Sequence, residues 1–215
     1  MKKLQYGLLV ALILTLAFSS ASAEDAEVLY SKGEAAYQAK DYANAITPLT
    51  EAAEAGYAPA QFRLGWMYRQ GQGVKEDQQQ ANEWYRKAAD QGHAQAQYNL
   101  GTQYLNGRGV KQDHKQAFEW FRKAAEQGHA DGQFQLGWMY RRGQGVKENQ
   151  RQANEWYLKA VEQGHAQAQF NLGSQYSEGR GVAKNQNKAA EYWKLAARQG
   201  HEDARKQLTR LGVRW

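Results

Sequence analysis

The sequence predicts an all-α fold, a solenoid of antiparallel helix pairs that repeat every 36 residues. Four glycines, Gly65, Gly101, Gly137 and Gly173, follow one another at that interval, and a Gly-His pair recurs with the same period. Fixed periods of about 20–50 residues are typical of stacked supersecondary units. The chain is also rich in Ala, Gln, Glu, Lys and Leu and holds only two prolines, which favours helix throughout.

The first 23 residues have the organisation of a signal peptide. Lys2 and Lys3 precede an apolar stretch from Leu8 to Phe18, and Ala21-Ser22-Ala23 fits a signal peptidase site. That stretch rises only about 16 Å as a helix, too little for a hydrocarbon core of about 30 Å. We therefore expect cleavage of residues 1–23, export of residues 24–215 to the periplasm or to the medium, and no membrane insertion afterwards.

Composition narrows the classes of partner. Loss of Lys2 and Lys3 lowers the formal net charge from +6 to +4, and the remaining basic residues are scattered rather than clustered. This argues against nucleic acid, whose ligands usually show a dense basic stripe. The chain has no cysteine. An exported protein without disulfides depends on packing, which suits a bacterial periplasm.

Residues 24–215 are expected to form a single solenoid domain. A shorter, degenerate helix pair is predicted at its start and a polar capping helix at its end. The predicted segments are 26–57 for the degenerate pair, 58–93, 94–129, 130–165 and 166–201 for the four repeats, and 202–215 for the cap.

Each repeat divides into two helices. In the repeat 94–129, Leu100, Gly101 and Tyr104 share one side of a first helix, which stops at the glycines of Gly107-x-Gly109. Asp113 stands where the second helix needs an N-cap. The equivalent positions hold Asp77, Asn149 and Asn185.

The pattern A-x-x-x-L-G-x-x-Y-x-x-G-x-G-V-x-x-D/N-x-x-x-A-x-x-W/Y, which begins at Ala60, resembles the Sel-one-like repeat (SLR) family, a subgroup of the tetratricopeptide-like α/α solenoids. The resemblance extends over nearly all of residues 24–215. It implies a right-handed α/α solenoid that serves protein binding and assembly. The absence of cysteine is a departure, because some exported relatives join each helix pair by a disulfide.

A second period of 72 residues is superimposed on the 36-residue repeat. The repeat 58–93 is identical to 130–165 at 27 of 36 positions but to its neighbour 94–129 at only 22. We infer that a double unit of 72 residues was duplicated, so that a site on one copy can recur on the other.

The candidate binding face is the outward stripe of the first helices, which the resemblance places on the concave side of the solenoid. Aromatic and arginine side chains are enriched at binding hot spots. The predicted partner-binding residues are Trp66, Arg69, Asn99, Asn106, Gln135, Trp138, Arg141 and Asn171. For the rings, packing between neighbouring first helices is the alternative interpretation, and it is favoured for the position that is aromatic in every repeat, namely Phe62, Tyr98, Phe134 and Phe170.

Sequence patterns for catalysis, metal binding and cofactor binding are weak. The repeated histidines occupy one position per repeat, about 10 Å apart at the spacing of packed helices, too far apart to share a zinc ion. The Gly-x-Gly turns lack the strand and the Lys-Ser/Thr of a phosphate loop. We therefore predict no catalytic, metal-binding or cofactor-binding residue, and no enzyme.

Three functional hypotheses follow. The leading one is an exported adaptor that binds a protein or peptide in the groove of the solenoid. The second is an immunity-type or inhibitor protein that neutralises a secreted enzyme. The third is a cell-wall or lactam hydrolase, which some relatives suggest and for which Ser31, Ser174 and Ser177 are the only serines left after cleavage.

Overall fold

The computed structural model describes residues 24–214, which form eleven helices. The first, α1, covers 24–38. The others are α2 Tyr42–Glu54, α3 Ala58–Gln70, α4 Gln78–Asp90, α5 Ala94–Asn106, α6 His114–Glu126, α7 Ala130–Arg142, α8 Gln150–Glu162, α9 Ala166–Glu178, α10 Gln186–Arg198 and α11 Glu202–Arg210. The described part of the chain contains no strand.

The chain divides into two bodies. The N-terminal body holds the described residues of Met1–Ala96 together with Arg108–Val110, and the C-terminal body holds Gln97–Gly107 and the described residues of Lys111–Trp215. Within the N-terminal body, α2 packs on α3 and α3 on α4. Within the C-terminal body, each helix from α6 to α11 packs on the next. In both bodies the core consists largely of alanines and single large side chains from successive helices.

The second helix of a repeat begins at a side-chain cap. The carboxylate of Asp113 accepts hydrogen bonds from the backbone N–H groups of Lys115 and Gln116, at 2.9 and 3.1 Å. These bonds satisfy donors that the first turn of a helix leaves without a partner. Asp77, Asn149 and Asn185 likewise cap α4, α8 and α10, as predicted.

Glycine lets the two helices of a repeat approach closely. A Cβ atom built on Gly137 would lie 2.8 Å from the ring of Tyr157, and one on Gly101 would lie 2.8 Å from the ring of Phe121. Real Cβ atoms do not come so near, so the large ring of the second helix packs directly on the backbone of the first. The regular spacing of these glycines is thus a packing requirement.

Glutamines join successive repeats. The side-chain amide of Gln163, at the end of α8, donates to the carbonyl of Gly128 at 2.9 Å and to Oε1 of Gln133 at 2.8 Å. Gln91 makes the same two bonds, to Gly56 and Gln61. Each bridge connects the end of one repeat to residues 30 and 35 positions earlier, so it stabilises the stacking of helix pairs.

The predicted all-α repeat of antiparallel helix pairs is confirmed. The segment 26–57 contains most of α1 and all of α2, and 202–215 contains α11. The predicted signal peptide and Trp215 lie outside the described residues. No helix in the described part of the chain has the length and apolar character needed to cross a bilayer.

Candidate functional site

In the N-terminal body, Trp66 and Arg69 form one contact on α3. Both side chains are half-buried, and the Arg69 guanidinium carbon lies 5.4 Å from the centre of the Trp66 ring. Arg69 makes no ion pair with any carboxylate among residues 24–214. Arg63 on the same helix differs, because it binds Glu34 at 2.7 Å. The charge of Arg69 is therefore not neutralised internally.

In the C-terminal body, the equivalent pair is arranged differently. The arginine that lies over Trp138 is Arg142, with its guanidinium carbon 6.0 Å from the ring centre. Arg141, the counterpart of Arg69 in sequence, instead lowers the pKa of the buried Tyr157 phenol. Its Nε is buried and has no hydrogen-bond partner. The 72-residue period thus preserves the residue types but not every contact.

The four predicted amide side chains occupy different environments. Asn99 on α5 is only 4% exposed, so little of its side chain is open to a partner. Asn106, at the end of α5, is exposed and donates to the carbonyl of Thr102 at 2.9 Å. Gln135 and Asn171 are half-buried on α7 and α9. Asn171, like Arg141, lowers the pKa of the buried Tyr157 phenol.

Tyr157, whose pKa both Arg141 and Asn171 lower, is a residue that the sequence did not single out. Tyr157 is fully buried on α8, and its hydroxyl has no hydrogen-bond partner. Burial raises the pKa of this phenol, while the Arg141 guanidinium and the Asn171 amide act in the opposite direction. Burial is the larger effect, so the pKa of Tyr157 lies above its ordinary value.

A sequence signal for Tyr157 did exist. The same position of the second helix holds Tyr85, Phe121 and Tyr157 in successive repeats, and it alternates together with Arg69, Leu105 and Arg141 on the first helix. A tyrosine hydroxyl and an arginine therefore appear and disappear together.

The repeated histidines have a structural role that the sequence did not predict. Nδ1 of His129 accepts a hydrogen bond from the backbone N–H of Gly132 at 3.1 Å and so caps α7. Its ring stacks on that of Tyr98, with centres 4.9 Å apart and planes at 18°. His93, His165 and His201 make the same cap and the same stack.

These stacks explain why one position of the first helix is aromatic in every repeat. Tyr98 contacts both His129 and the ring of Phe121, and Phe134 contacts both His165 and Tyr157. Because each histidine also caps the next first helix, the aromatic residue supports the joint between two repeats. This agrees with the packing interpretation rather than with a free binding surface.

Two of the three candidate serines and one of the Gly-x-Gly turns are engaged in local structure. The hydroxyl of Ser174 donates to the carbonyl of Phe170 at 3.1 Å, and that of Ser177 donates to Gln186 at 3.2 Å. A Cβ on Gly145 would lie 2.1 Å from the carbonyl oxygen of His114, so this Gly-x-Gly turn packs on the backbone of α6. Residues 24–214 contain no cluster of His, Asp or Glu arranged to hold a metal ion.

The chain matches the family model described as Sel1 repeat at residues 58–93, 94–129, 130–165 and 166–201. These are the four segments that the glycine spacing delimits. No match was found among curated protein sequences.

Several solved structures are similar. The protective antigen c5321 of uropathogenic Escherichia coli strains, which displays an SLR fold, is 38% identical with a TM-score of 0.84 over 93% of this chain, which spans 44% of the antigen. A Sel1 repeat protein from Oxalobacter formigenes is 38% identical with a TM-score of 0.78, covering 82% of this chain and 70% of that one. The immunity protein Pa5087 from Pseudomonas aeruginosa is 28% identical with a TM-score of 0.51, covering 83% and 67%.

Proposed function

Because the chain belongs to the Sel1 repeat family, we propose that it is an exported scaffold that binds a protein or peptide partner through the first helices of its repeats. Proteins of this family generally act as protein-interaction scaffolds, and the all-helical repeat fold is typically non-enzymatic. Beyond this general role, we propose an exported location and a defined binding face.

The observation that supports the face is a set of arginines without internal counter-ions. Arg69, Arg141 and Arg142 make no ion pair with a carboxylate among the described residues. Two of them lie over the half-buried rings of Trp66 and Trp138. Arginine beside tryptophan offers a partner charged hydrogen bonds and a large apolar contact at one place.

Site-specific crosslinking in the source cell tests this face. A photo-crosslinking amino acid is placed at Trp66 or at Trp138, and in control variants at Glu83 or Glu155, which are exposed on the second helices α4 and α8. We expect one protein to be linked at 66 and 138 and not at 83 and 155. The double substitution Arg69→Ala and Arg141→Ala should weaken this capture and leave helicity unchanged.

Two results contradict the proposed face. Crosslinks confined to positions 83 and 155 would move the partner to the second helices. Undiminished capture by the Arg69/Arg141 double variant would show that these arginines do not contribute to binding.

The exported location is tested on the same material. Cell fractionation followed by N-terminal sequencing should find the protein outside the cytoplasm with Glu24 as its first residue. A protein that retains residues 1–23 in the cytoplasmic fraction would overturn the proposed export.

A second candidate is an immunity-type protein, and the likeness to Pa5087 favours it. In that case the crosslinked partner is itself a secreted enzyme, and one equivalent of this chain abolishes its activity. A partner whose activity is unaffected by the purified chain leaves the scaffold as the better description.

A further inference from the structure

A cavity of about 270 Å³ lies in the C-terminal body, bordered by α8, by α9 and by the turn that follows α9. Its apolar lining consists of Leu158 on α8, Leu172 and Tyr176 on α9, and Val182 after the turn. An apolar protein cavity of about 150 Å³ is large enough to bind benzene. The cavity beside α8 can therefore hold a benzene ring together with several further atoms.

In the preceding repeat, a side chain of the protein occupies the corresponding space. Asn154 lines the cavity, and one 36-residue period earlier its position holds Phe118. The Phe118 ring is 7% exposed and meets the ring of Tyr140, the counterpart of Tyr176, at 86° with centres 5.3 Å apart. Phe118 shares its apolar cluster with the counterparts of the other two lining residues from this side, Leu136 and Val146. These surroundings accept a phenyl ring, which the smaller Asn154 does not supply.

The rim of the cavity is apolar at a position that carries a cation in the other repeats. Leu158 is 42% exposed, whereas its position in the repeats 58–93, 94–129 and 166–201 holds Arg86, Arg122 and Lys194. Among the four repeats, 130–165 alone combines asparagine at the position of Phe118 with leucine at the rim. An exposed leucine beside an apolar cavity adds contact area for an apolar ligand.

Two side chains of opposite charge lie at the mouth of the cavity. Arg151 and Glu155 both line it, both are exposed, and they stand four residues apart on α8. Neither forms an ion pair with another residue of 24–214. Oε2 of Glu155 accepts a hydrogen bond from Gln152 at 2.7 Å, which leaves Oε1 to serve a ligand. A ligand with one anionic and one cationic group can therefore pair with both.

We propose that this cavity binds a free aromatic amino acid, a function that goes beyond the scaffold role and uses none of the predicted partner-binding residues. The ring of the ligand takes the place that Phe118 has in the preceding repeat and lies beside Tyr176. The carboxylate of the ligand pairs with Arg151, and its ammonium group pairs with Glu155. Because the two ion pairs are exposed, apolar contact supplies most of the affinity and the charges supply selectivity.

The other repeats supply the variants for the test. Asn154→Phe introduces the ring of the repeat 94–129 and should fill the cavity, and Leu158→Arg introduces the cation that two other repeats carry at the rim. Arg151→Gln introduces the residue of the repeat 58–93 and removes the partner of the ligand's carboxylate. Lys115→Gln is the matched control, because Lys115 is the exposed counterpart of Arg151 on α6. Circular dichroism and urea denaturation verify that each variant is folded.

The probes are L-phenylalanine, L-alanine, which lacks the ring, and N-acetyl-L-phenylalaninamide, which keeps the ring but carries no charge. Isothermal titration calorimetry measures the affinity of the purified protein for each probe. NMR of ¹³C-labelled valine methyl groups locates the ring, with the Val182 resonances assigned by their loss in Val182→Ala. L-phenylalanine should bind saturably and shift these resonances. Asn154→Phe should weaken its binding at least about tenfold, Leu158→Arg about threefold and Arg151→Gln about fivefold, whereas Lys115→Gln should leave it unchanged.

Three results would overturn the proposal. Absence of saturable binding of L-phenylalanine, or equal binding of L-alanine, would show that the cavity does not recognise an aromatic amino acid. Undiminished binding by both Asn154→Phe and Leu158→Arg would place the ring elsewhere on the protein. Equal affinity for N-acetyl-L-phenylalaninamide would exclude recognition of the free amino acid and favour an aromatic side chain of a protein partner as the occupant.

Discussion

The repeats 94–129 and 130–165 build the same helix–helix contact with different chemistry. Phe121 and Tyr157 are both fully buried, and each ring lies where a Cβ on the facing glycine would be 2.8 Å away. The two sites differ by one oxygen atom on the ring and by Leu105 or Arg141 beside it. The helix–helix contact therefore requires an aromatic ring but not a hydroxyl.

The largest loss of stability is expected from filling the space that glycine leaves beside the aromatic ring in each of the two repeats. Gly137→Val places methyl groups inside the ring of Tyr157, and Gly101→Val does the same against Phe121. Overpacking of this kind should lower the free energy of unfolding by about 3 kcal/mol in either repeat. Urea denaturation followed by circular dichroism measures it, with Gln116→Val on the exposed face of α6 as the control for valine in a helix. If Gly137→Val costs no more than Gln116→Val, the close approach is not important for stability.

A smaller change in the free energy of unfolding should result from adding the hydroxyl in one repeat and removing it in the other. Phe121→Tyr buries a phenol beside Leu105, which cannot accept or donate, and should cost about 2 kcal/mol of unfolding free energy. Tyr157→Phe removes a hydroxyl that has no partner and should leave stability unchanged or raise it. The same urea titration applies. A large loss of unfolding free energy in Tyr157→Phe would show that the hydroxyl stabilises the fold and that the contact in this repeat does need it.

The smallest effect concerns the joint between the two repeats, where His129 caps α7. Burial lowers the pKa of His129 and the nearby charge of Asp131 raises it, with a net lowering below the ordinary value of about 6.5. At this histidine the unfolded chain therefore binds a proton more readily than the folded one. The contribution of His129 to stability is complete above pH 6.5 and declines as the pH falls through that value toward the folded pKa. Protonation of Nδ1 also removes the acceptor for the N–H of Gly132.

We therefore expect a lower urea midpoint at pH 5 than at pH 7.5. His129→Asn retains a capping side chain but cannot titrate, so it should reduce this difference. An identical pH dependence in the variant would mean that His129 does not contribute to it.

Much of the fold could be predicted because it depends on local and periodic features. The caps at Asp113 and Asn149 need only a short polar side chain before a helix, and the glycine of each first helix recurs at a fixed interval. The histidines could not be assigned in this way. Their cap is local, but their stack on Tyr98 or Phe134 joins residues 31 positions apart, and no short pattern in the sequence specifies that contact.

For the candidate site, the sequence indicated residue types more reliably than contacts. It singled out Arg141 and Asn171 but grouped Arg141 with Trp138, the ring over which Arg142 lies. It omitted Tyr157 because a tyrosine in the core of a helix pair is indistinguishable by periodicity from a phenylalanine. Whether a hydroxyl is satisfied depends on neighbours from three helices.

By itself, the sequence determined the repeat length, the helix pairs, their caps and the family, because each of these depends on residues at fixed spacing along one chain. Only the tertiary structure decided which arginine meets which ring, which aromatic residues support the histidine joints, and where polar atoms remain without partners. Those properties depend on the packing of side chains from different helices, where a shift of one residue or the exchange of one atom changes the contact without changing the pattern.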